Sequence, residues 1–440
     1  MTNLFNKLNT VTFNTTIKVT LIPFVAKTLV FYEQTHFFST EKINKVPDNK
    51  NSIKSKESLI KYSSILKDLT PEFKQWFVGF IDAEGCFMIS IRYSNVITFR
   101  VRITLHIDEL PLIVELQNKL GCGSIYKGKT KCELSISEKN ALTFLILPIL
   151  VEFPLNTTKY LNFLDFKEAL NIKEKGNHLT TEGKLRILNL KANMNRARTD
   201  NSMPSDHTIR ITPNWLIGFI EGDGSFYINK LAPMLRISQS NKDYKILEEI
   251  YKYFNSGTLG QNKITMRFQN EEPMVNLTFH NILFIHDKLL PLFNSLKFYT
   301  KKELDYKDWV IIVKLNYLGL HLNPRGKELI NNLNLGMNNK RLSTFKGIKN
   351  KLVISQETIS EVLSLEPLYK TIGLERINVI TNNTVHSGRH YSIIVTSSNS
   401  STLKFDSLKD CSKALGISNY FILKNLDTGQ EFKGFIFKSD

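Results

Sequence analysis

Two stretches of the chain show the same order of hydrophobic and polar residues, and each predicts a short apolar helix. The first, FVGFIDAEG, covers residues 77–85, and the second, LIGFIEGDG, covers residues 216–224. A Thr-Pro pair precedes both, at 70–71 and at 212–213. Threonine caps the exposed N–H groups at a helix start, and proline fits the first helical position. Each helix ends in an acid directly before a glycine, so one pattern occurs twice.

Alternating apolar and polar residues follow each helix and predict β-strands. The alternation covers residues 87–106 and 225–239, and helical patterns at 110–120 and 244–254 come next. Glycine-containing turns then precede further strand patterns. Each half therefore predicts the order α-β-β-α-β-β-α, with an antiparallel sheet that helices cover on one face only. The predicted fold class is α+β, built as two pseudo-symmetric αββαββα repeats.

The similarity of the halves extends to their C-terminal ends, where MNRAR at 194–198 matches MNNKR at 337–341. We predict a first repeat over 66–200 and a second over 201–342. A chain with two related halves is expected to be a monomer with an internal pseudo-two-fold axis. Such symmetry suits a two-fold symmetric partner, of which duplex DNA is the commonest.

Each apolar helix contains two small residues one turn apart, Gly79 and Ala83 in the first helix and Gly218 and Gly222 in the second. Glycine inside a helix costs about 1 kcal/mol relative to alanine, so close packing has to offset that cost. Two packings would do so: each helix against its own sheet, or the two helices against each other along the pseudo-two-fold axis. We favour the second, because it also brings both helix C-termini together.

The acids that end the two helices, Glu84 and Asp223, are candidate metal ligands and catalytic residues. A single acid at a helix C-terminus is usually a solvated charge, and the helix dipole slightly disfavours it. Two acids at equivalent positions of a repeat suggest a shared site. Mg²⁺ binds to one or two carboxylates together with phosphate oxygens of a substrate. Asp82 and Glu221, two residues earlier, point elsewhere on the helix and are expected to make structural or capping contacts.

Two lysines also occupy equivalent positions, Lys159 and Lys302, which lie 143 residues apart. Either lysine could simply be a solvated surface residue. A positive charge near a scissile phosphate could instead stabilise the negative charge that develops there, or activate water. We include both lysines among the candidate catalytic residues.

The charge of the chain favours a polyanionic partner. The formal net charge is +17 at pH 7 and the pI is about 9.4. A lysine-rich and asparagine-rich composition also arises in proteins from AT-rich genomes, so the charge alone leaves both explanations open. Aromatic residues make up 11% of the chain, which excludes a basic disordered tail.

The cysteines argue against a disulfide-bonded or zinc-binding protein, and the hydrophobic runs argue against a membrane-spanning one. None of the four cysteines lies in a CxxC pair or beside histidines at zinc-finger spacing, so we expect neither disulfides nor zinc. No run of about 20 apolar residues occurs, so we expect no membrane-spanning helix and no membrane partner.

The two motifs and their spacing resemble those of double-motif LAGLIDADG homing endonucleases encoded by fungal organelle introns. The resemblance covers about residues 66–342. It implies a DNA-binding β-saddle and Mg²⁺-dependent or Mn²⁺-dependent cleavage of both DNA strands that leaves short 3′ overhangs and promotes intron mobility. The metal-binding acids of the family fall on Glu84 and Asp223, and its basic active-site residue falls on Lys159 and Lys302. A location in the mitochondrial matrix is implied as well.

The open face of each sheet is the expected contact surface for double-stranded DNA, because basic and amide side chains suit base edges and phosphates. The candidate DNA-binding residues of the two repeats are Arg92, Arg100, Arg102, Tyr227, Asn229, Lys230 and Arg236.

The C-terminal end predicts a small second DNA-binding module. In residues 401–440, serines precede two short helical patterns that Gly416 separates, which is typical of a helix-turn-helix. The segment resembles the nuclease-associated modular DNA-binding repeat, with Lys409, Lys413 and Lys424 as candidate contacts. A small adaptor or a decayed extension is the alternative. Residues 343–400 are expected to be a linker region.

The N-terminal residues 1–65 differ from the rest of the chain. Residues 1–32 contain no acid and many Asn, Thr and Lys residues, which is typical either of an organellar presequence or of fused upstream sequence. The polar segment 39–61 is expected to be a linker.

Two other functions remain open from the sequence. An RNA maturase would bind its host intron RNA and assist splicing. A DNA-binding protein that does not cut would have no use for acids beside phosphates, and the presence of Glu84 and Asp223 argues against it.

Overall fold

The computed structural model describes residues 49–91, 96–255, 263–269, 272–347, 354–372, 375–384, 393–397, 402–405 and 408–439. The chain forms two compact units, 1–57 and 58–440. Residues 49–57 of the first unit are described, and they belong to helix α1 (Asn49–Asp68). The second unit contains the two repeats and the C-terminal segments.

The first repeat contains a motif helix, a four-stranded sheet and a set of helices that cover one face of that sheet. Its elements are α2 (Pro71–Glu84), β1 (Gly85–Ile91), β2 (Ile97–His106), a 3-10 turn (Ile107–Glu109), α3 (Leu110–Leu120), β3 (Ser124–Lys127), β4 (Lys131–Ile136), α4 (Lys139–Ala141), a π-helical turn (Leu142–Ile146), α5 (Leu147–Glu152), α6 (Lys159–Glu174), a 3-10 turn (Asn177–Leu179), α7 (Thr181–Ala192) and a 3-10 turn (Asn195–Ala197).

The second repeat has the same elements in the same order. They are α8 (Pro213–Asp223), β5 (Gly224–Asn229), β6 (Ala232–Ser240), a 3-10 turn (Asn241–Asp243), α9 (Tyr244–Asn255), β7 (Lys263–Gln269), β8 (Glu272–Phe279), α10 (Ile282–Phe284), a π-helical turn (Ile285–Leu289), α11 (Leu290–Asn294), α12 (Lys302–Tyr317), a 3-10 turn (Leu320–Leu322), α13 (Pro324–Asn334) and a 3-10 turn (Asn338–Arg341).

The two sheets have the same topology and the same register. Their strand orders are β1-β2-β4-β3 and β5-β6-β8-β7, with every neighbouring pair antiparallel. The glycine that ends each motif pairs with an isoleucine of the next strand, Gly85 with Ile103 and Gly224 with Ile237. Buried residues alternate with more exposed ones along β1 and β2, as a sheet covered on one face requires. The predicted α+β fold with two αββαββα repeats is confirmed.

The motif helices α2 and α8 pack directly on each other, backbone against backbone. A Cβ atom added to Gly79 would lie 2.0 Å from the carbonyl oxygen of Trp215, and one added to Gly218 would lie 2.2 Å from that of Trp76. Only glycine leaves room for such an approach. The helix pair joins the two repeats, and one continuous hydrophobic core includes residues of both.

The expected linker at 39–61 is wrong for its C-terminal part, because residues 49–61 belong to helix α1. Tyr62 of this helix is 3% exposed, and its hydroxyl donates a hydrogen bond to Glu138 at 2.7 Å. Lys61 donates to the carbonyl of Gly121. A polar composition suggested a linker, but a few apolar anchors such as Tyr62 and Ile65 are enough to hold a helix on a domain surface.

The region 343–400, expected to be a linker, contains regular structure that packs on the second repeat. Helix α14 (Gln356–Leu363) contacts α13, and the strands β9 (Tyr369–Ile372) and β10 (Glu375–Asn378) form a hairpin. The backbone N–H groups of Leu368 and Tyr369 donate to the carbonyl of Leu318. The buried guanidinium of Arg376 donates to the carbonyls of Asn316 and Tyr317, so it caps the end of α12.

The C-terminal segment forms a small sheet with two helices. The sheet has the order β12 (Thr402–Phe405), β11 (Ile393–Ser397), β13 (Phe435–Ser439), and the helices are α15 (Leu408–Leu415) and α16 (Asn419–Asn425). Gly416 separates the helices with a left-handed φ of 64°. A separate small core contains Val395, Cys411, Ile422 and Phe437, among others. The helix-turn-helix assignment itself stays a prediction.

None of the described helices is long and apolar enough to cross a membrane. The cysteines, Cys86, Cys122, Cys132 and Cys411, are free thiols.

Candidate active site at the paired motif helices

The two candidate acids lie at the junctions where the motif helices end and the sheets begin. Glu84 is the last residue of α2, and Asp223 is the last residue of α8. The glycine that follows each acid donates its backbone N–H to a carbonyl one turn back, Gly85 to Ile81 and Gly224 to Ile220. A Cβ atom at either glycine would lie 2.7 Å from that same carbonyl oxygen. The glycine therefore allows the sharp turn that presents the acid.

The close helix packing brings Glu84 and Asp223 to one place. A Cβ atom added to Gly222 would lie 2.2 Å from the Cβ of Ala83 and 3.1 Å from the Cγ of Glu84. Burial raises the pKa of Glu84 first, and the negative charge of Asp223 raises it further. Burial also raises the pKa of Asp223. The small residues thus let two carboxylates share one partly buried site.

Lys159 and Lys302 lie beside these acids, and their ammonium groups donate hydrogen bonds to the carbonyls that end the motif helices. Lys159 donates to Ile81 at 2.9 Å and to Ala83 at 3.0 Å. Lys302 donates to Ile220 at 3.0 Å, to Gly222 at 3.2 Å and to Gly224. The carbonyls of Ala83 and Gly222 lie in the last turn of their helices, where carbonyls lack intrahelical partners, so each lysine caps a helix C-terminus.

The charges of the site oppose one another. Burial lowers the pKa of both lysines, while the nearby carboxylates favour their charged forms. In turn, the lysines favour the ionised forms of Glu84 and Asp223. The site therefore combines two carboxylates with two ammonium groups, each tied to backbone oxygens instead of bonding an acid directly.

Asp82 and Glu221 make the structural contacts expected of them. Asp82 accepts hydrogen bonds from the backbone N–H groups of Asn156 and Thr157, and Glu221 accepts from those of Tyr299 and Thr300. Both acids are buried, with 3% and 4% of their surface exposed. The residues that they hold directly precede the helices of Lys159 and Lys302, so each motif also fixes the start of its lysine helix.

The indoles of two tryptophans connect the repeats through these same acids. Trp76 of the first repeat donates to Glu221 of the second at 2.5 Å, and Trp215 of the second donates to Asp82 of the first at 2.9 Å. The contacts are reciprocal, so the network has the same pseudo-two-fold symmetry as the helices.

Two asparagines near the repeat ends hold the strands that follow the acids, a role that sequence reasoning missed. Asn195 and Asn338 have left-handed φ angles of 59° and 56°. Their side-chain amides donate to the carbonyls of Phe87 and Phe226, two residues after the motif glycines. The matching Met-Asn pairs were visible as a repeat, and asparagine tolerates a left-handed backbone, which together could have signalled the role.

Comparison with known proteins gives the family of the two repeats. The family model described as LAGLIDADG endonuclease matches residues 77–170 and 216–313. Each of the two repeats therefore contains a segment that matches the LAGLIDADG endonuclease family.

Relatives and solved structures agree with that assignment. The chain is 23% identical over 411 residues to the uncharacterized mitochondrial protein RF1 of Saccharomyces cerevisiae, covering 88% of this chain and 83% of that protein. It is 29% identical over 330 residues to the probable intron-encoded endonuclease 3 of Neurospora crassa, covering 68% of this chain and 58% of that protein. The structure of I-SmaMI bound to uncleaved DNA target in the presence of calcium ions covers 60% of this chain and 98% of its own, with a TM-score of 0.54 and 28% identity.

The acid pair, Glu84 and Asp223, fits a hard divalent cation. Among the described residues, no group of three or more His, Cys, Asp or Glu residues could hold a metal ion. Glu84 and Asp223 nevertheless supply carboxylate oxygens at one place, where the negative charge of Asp223 raises the pKa of Glu84. Two carboxylates leave ligand positions open, and Mg²⁺ commonly fills such positions with substrate phosphate and water.

Two of the three predicted DNA-binding residues of the first repeat, Arg100 and Arg102, lie on the open face of its sheet. Arg100 is exposed on β2, and Arg102 is partly exposed and lies 3.8 Å from Glu133 of β4. Arg92 lies outside the described residues.

In the second repeat, the predicted residues cluster along β5 and β6. Asn229 and Lys230 are exposed where β5 turns into β6. The guanidinium of Arg236 donates to the hydroxyl of Tyr227 at 2.6 Å and lies over its ring, which fixes both side chains on the open face. In the C-terminal module, Lys413 and Lys424 are exposed, and the side chain of Lys409 lies outside the description.

Proposed function

We propose that this chain is a site-specific endonuclease that hydrolyses a phosphodiester bond in each strand of a double-stranded DNA target and leaves short 3′ overhangs. The observation that carries the proposal is the pair of acids, Glu84 and Asp223, brought together by the packed motif helices of two equivalent repeats. An RNA maturase would not need this acid pair, so the pair favours DNA cleavage over splicing.

Glu84 and Asp223 would hold a divalent cation, Mg²⁺ or Mn²⁺, between the two repeats. When bound, the cation supplies activation of water and stabilisation of the leaving oxygen. The carboxylates fix its place because the helix ends that carry them are pinned by glycine turns and by lysine caps. The two repeats present the acids symmetrically, which suits two scissile phosphates related by the pseudo-two-fold axis of a DNA duplex.

Lys159 and Lys302 would supply positive charge near the scissile phosphates. Their ammonium groups are held at the helix ends by carbonyls, so their positions do not depend on flexible side-chain contacts. A fixed cation in a partly buried site stabilises developing negative charge better than a mobile one in water.

The open sheet faces would bind the duplex, with Arg100, Arg102, Tyr227, Asn229 and Arg236 among the contacts. Such side chains suit base edges in the major groove and phosphate oxygens. The C-terminal module would add phosphate contacts through exposed lysines such as Lys413 and Lys424. We further propose that the chain acts as a monomer. We also propose that it acts in mitochondria, because its relative RF1 of Saccharomyces cerevisiae is named as a mitochondrial protein.

The test is selection of cut duplexes from a library with a randomised central segment, incubated with the protein and Mg²⁺. We expect one family of related sequences to be cut in both strands, with mapped ends that leave 3′ overhangs. The matched control is the Glu84→Gln/Asp223→Asn double variant, and a second control contains a metal chelator. Cutting by the double variant, or cutting with no sequence preference, would overturn the proposal.

A further inference from the structure

We propose that Asp243 and Glu109 are positioning residues that act across the pseudo-two-fold axis, each fixing the active-site lysine of the opposite repeat. The inference rests on the proposed function, because it assigns these acids a task at the same site. It adds that neither half-site is complete without a carboxylate from the other repeat.

The start of the Lys159 helix is held by acids from both repeats. Asp82, of the same repeat, accepts hydrogen bonds from the backbone N–H groups of Asn156 and Thr157. The next N–H, that of Thr158, donates to Asp243 of the second repeat at 2.6 Å, and the Thr158 hydroxyl donates to the same carboxylate at 3.2 Å. Both contacts are buried, and Lys159 is the following residue.

The start of the Lys302 helix repeats this arrangement with the roles of the repeats exchanged. Glu221 takes the N–H groups of Tyr299 and Thr300. The next N–H, that of Lys301, donates to both carboxylate oxygens of Glu109 of the first repeat, at 3.2 and 3.1 Å. The same crossed contact thus occurs twice, between residues that lie 85 positions apart in one case and 192 in the other.

The placement of these acids in their own repeats makes the crossed contacts unusual. Asp243 directly precedes α9, and Glu109 directly precedes α3. An aspartate at that position commonly caps its own helix. Glu109 makes no side-chain capping bond to α3, and its carboxylate is directed to the other repeat instead. A position that usually serves local stability here serves the opposite half-site.

Loss of the crossed contact would free the lysine, because the held N–H lies one residue before it. Lys159 and Lys302 are the first residues of α6 and α12, so their stems start where the helix is anchored. The short, buried contacts of Asp243 should matter more than the longer contacts of Glu109, which are exposed. Each variant should therefore affect the lysine of the opposite repeat, and the Asp243 variant should have a larger effect than the Glu109 variant.

The first experiment measures lysine reactivity and does not depend on cleavage. The full-length protein, as wild type and as Asp243→Asn, Glu109→Gln and the surface control Glu182→Gln, is treated briefly with acetic anhydride and analysed by peptide mass spectrometry. We expect Asp243→Asn to raise acetylation of Lys159 severalfold and to leave Lys302 unchanged. Glu109→Gln should do the reverse to a smaller degree. Equal increases at both lysines, or an increase at the lysine of the same repeat, would overturn the proposal.

The second experiment is a double-mutant cycle on cleavage of the selected DNA. Asp243→Asn should slow cleavage by about tenfold, within the range that a small misplacement of an active-site group costs. The same change should have little further effect when combined with Lys159→Met but its full effect when combined with Lys302→Met, because it acts through Lys159. Independent effects with both lysine variants, at unchanged melting temperature and DNA affinity, would contradict the crossed role.

The two experiments separate this inference from the proposed function. A wild-type protein that cuts no DNA would refute the proposed function, while the acetylation pattern would still decide whether Asp243 and Glu109 position the opposite lysines. Cleavage that is normal in the wild type, with acetylation that is unaffected in the variants, would refute the crossed role alone.

Discussion

The two half-sites share a frame but differ in how firmly they hold their acid. In the second repeat, Gln239 donates a hydrogen bond to Asp223 at 2.5 Å, which favours the ionised carboxylate. The register of the strands places Leu105 at the equivalent position of the first repeat, where it cannot donate to Glu84. Lys302 also holds one more backbone carbonyl than Lys159 does.

The contacts that both half-sites share are those that position the ends of the motif helices. Both repeats contain the lysine that caps the motif helix and the tryptophan that bonds an acid of the other repeat. Both also contain the asparagine whose amide donates to the carbonyl of the first strand. These contacts position the helix ends, and the acids can only meet if both ends are placed alike. The partner of each acid differs, so the two strands of a DNA target are expected to be cut at unequal rates.

The largest effect is expected from filling the helix interface. In Gly218→Leu, the added Cβ alone would lie 2.2 Å from the carbonyl oxygen of Trp76, so the helices must separate. We expect the free energy of unfolding to fall by about 3 kcal/mol or more, at the upper end of overpacking effects. Urea denaturation measures it.

The control for this change is Ala414→Leu, which adds a side chain at an exposed helical position and should change the stability by about 0.5 kcal/mol or less. An unfolding midpoint of Gly218→Leu equal to that of the wild type would show that the two helices do not need their close contact.

A smaller effect is expected near the C-terminal ends of the two motif helices, and a second substitution there should reverse most of it. Gly222→Ala places a methyl group 2.2 Å from the Cβ of Ala83 and close to Glu84, so we expect a loss of about 1–3 kcal/mol and slower cleavage. The swapped variant Ala83→Gly/Gly222→Ala should recover most of the loss, because the same single methyl remains between the helices. Denaturation and cleavage rates measure both, and a swap as damaging as the single change would argue against direct contact at this level.

The asymmetry of the half-sites is tested by making the second resemble the first. Gln239→Leu removes the hydrogen bond to Asp223, and we expect cleavage of one strand to slow severalfold while the other changes little. A target labelled separately on each strand gives both rates. Equal slowing of the two strands would mean that Asp223 serves them jointly, and the difference between the half-sites would lose its functional meaning.

The smallest effect on the chemistry is expected from removing residues 401–440. This segment carries exposed lysines such as Lys413 and Lys424, which would add phosphate contacts. We expect weaker DNA binding with a shallower dependence on salt and an unchanged cleavage step at saturating protein. Binding measured at several salt concentrations tests this, and identical affinities and slopes for the two proteins would favour an adaptor role for the segment.

The parts of the site that could be predicted from the sequence are those that the duplication marks. Glu84, Asp223, Lys159 and Lys302 recur at equivalent positions, and small residues in an apolar helix indicate close packing without any knowledge of the partner. Local signals of this kind survive in a single sequence.

The crossed contacts could not be predicted in the same way. Asp243 reaches Thr158 and Glu109 reaches Lys301 only after the two repeats have packed, and nothing local distinguishes these acids from helix caps. The helix at 49–61 was missed for a related reason: its polar residues resemble a linker, and its stability comes from packing of the adjoining residues, such as Tyr62, on the first repeat. Tertiary contacts determine whether such segments are helical, because they override the helix propensity of the residues.

The most direct test of the central claim compares binding with cleavage in Asp223→Asn on the selected DNA in Mg²⁺. Asp223 belongs to the acid pair that is proposed to hold the cation, so loss of its charge should remove double-strand cleavage and leave at most a nick in one strand. Binding should be equal to or tighter than that of the wild type, because a negative charge near phosphate is lost. Undiminished cleavage of both strands by Asp223→Asn would contradict the account.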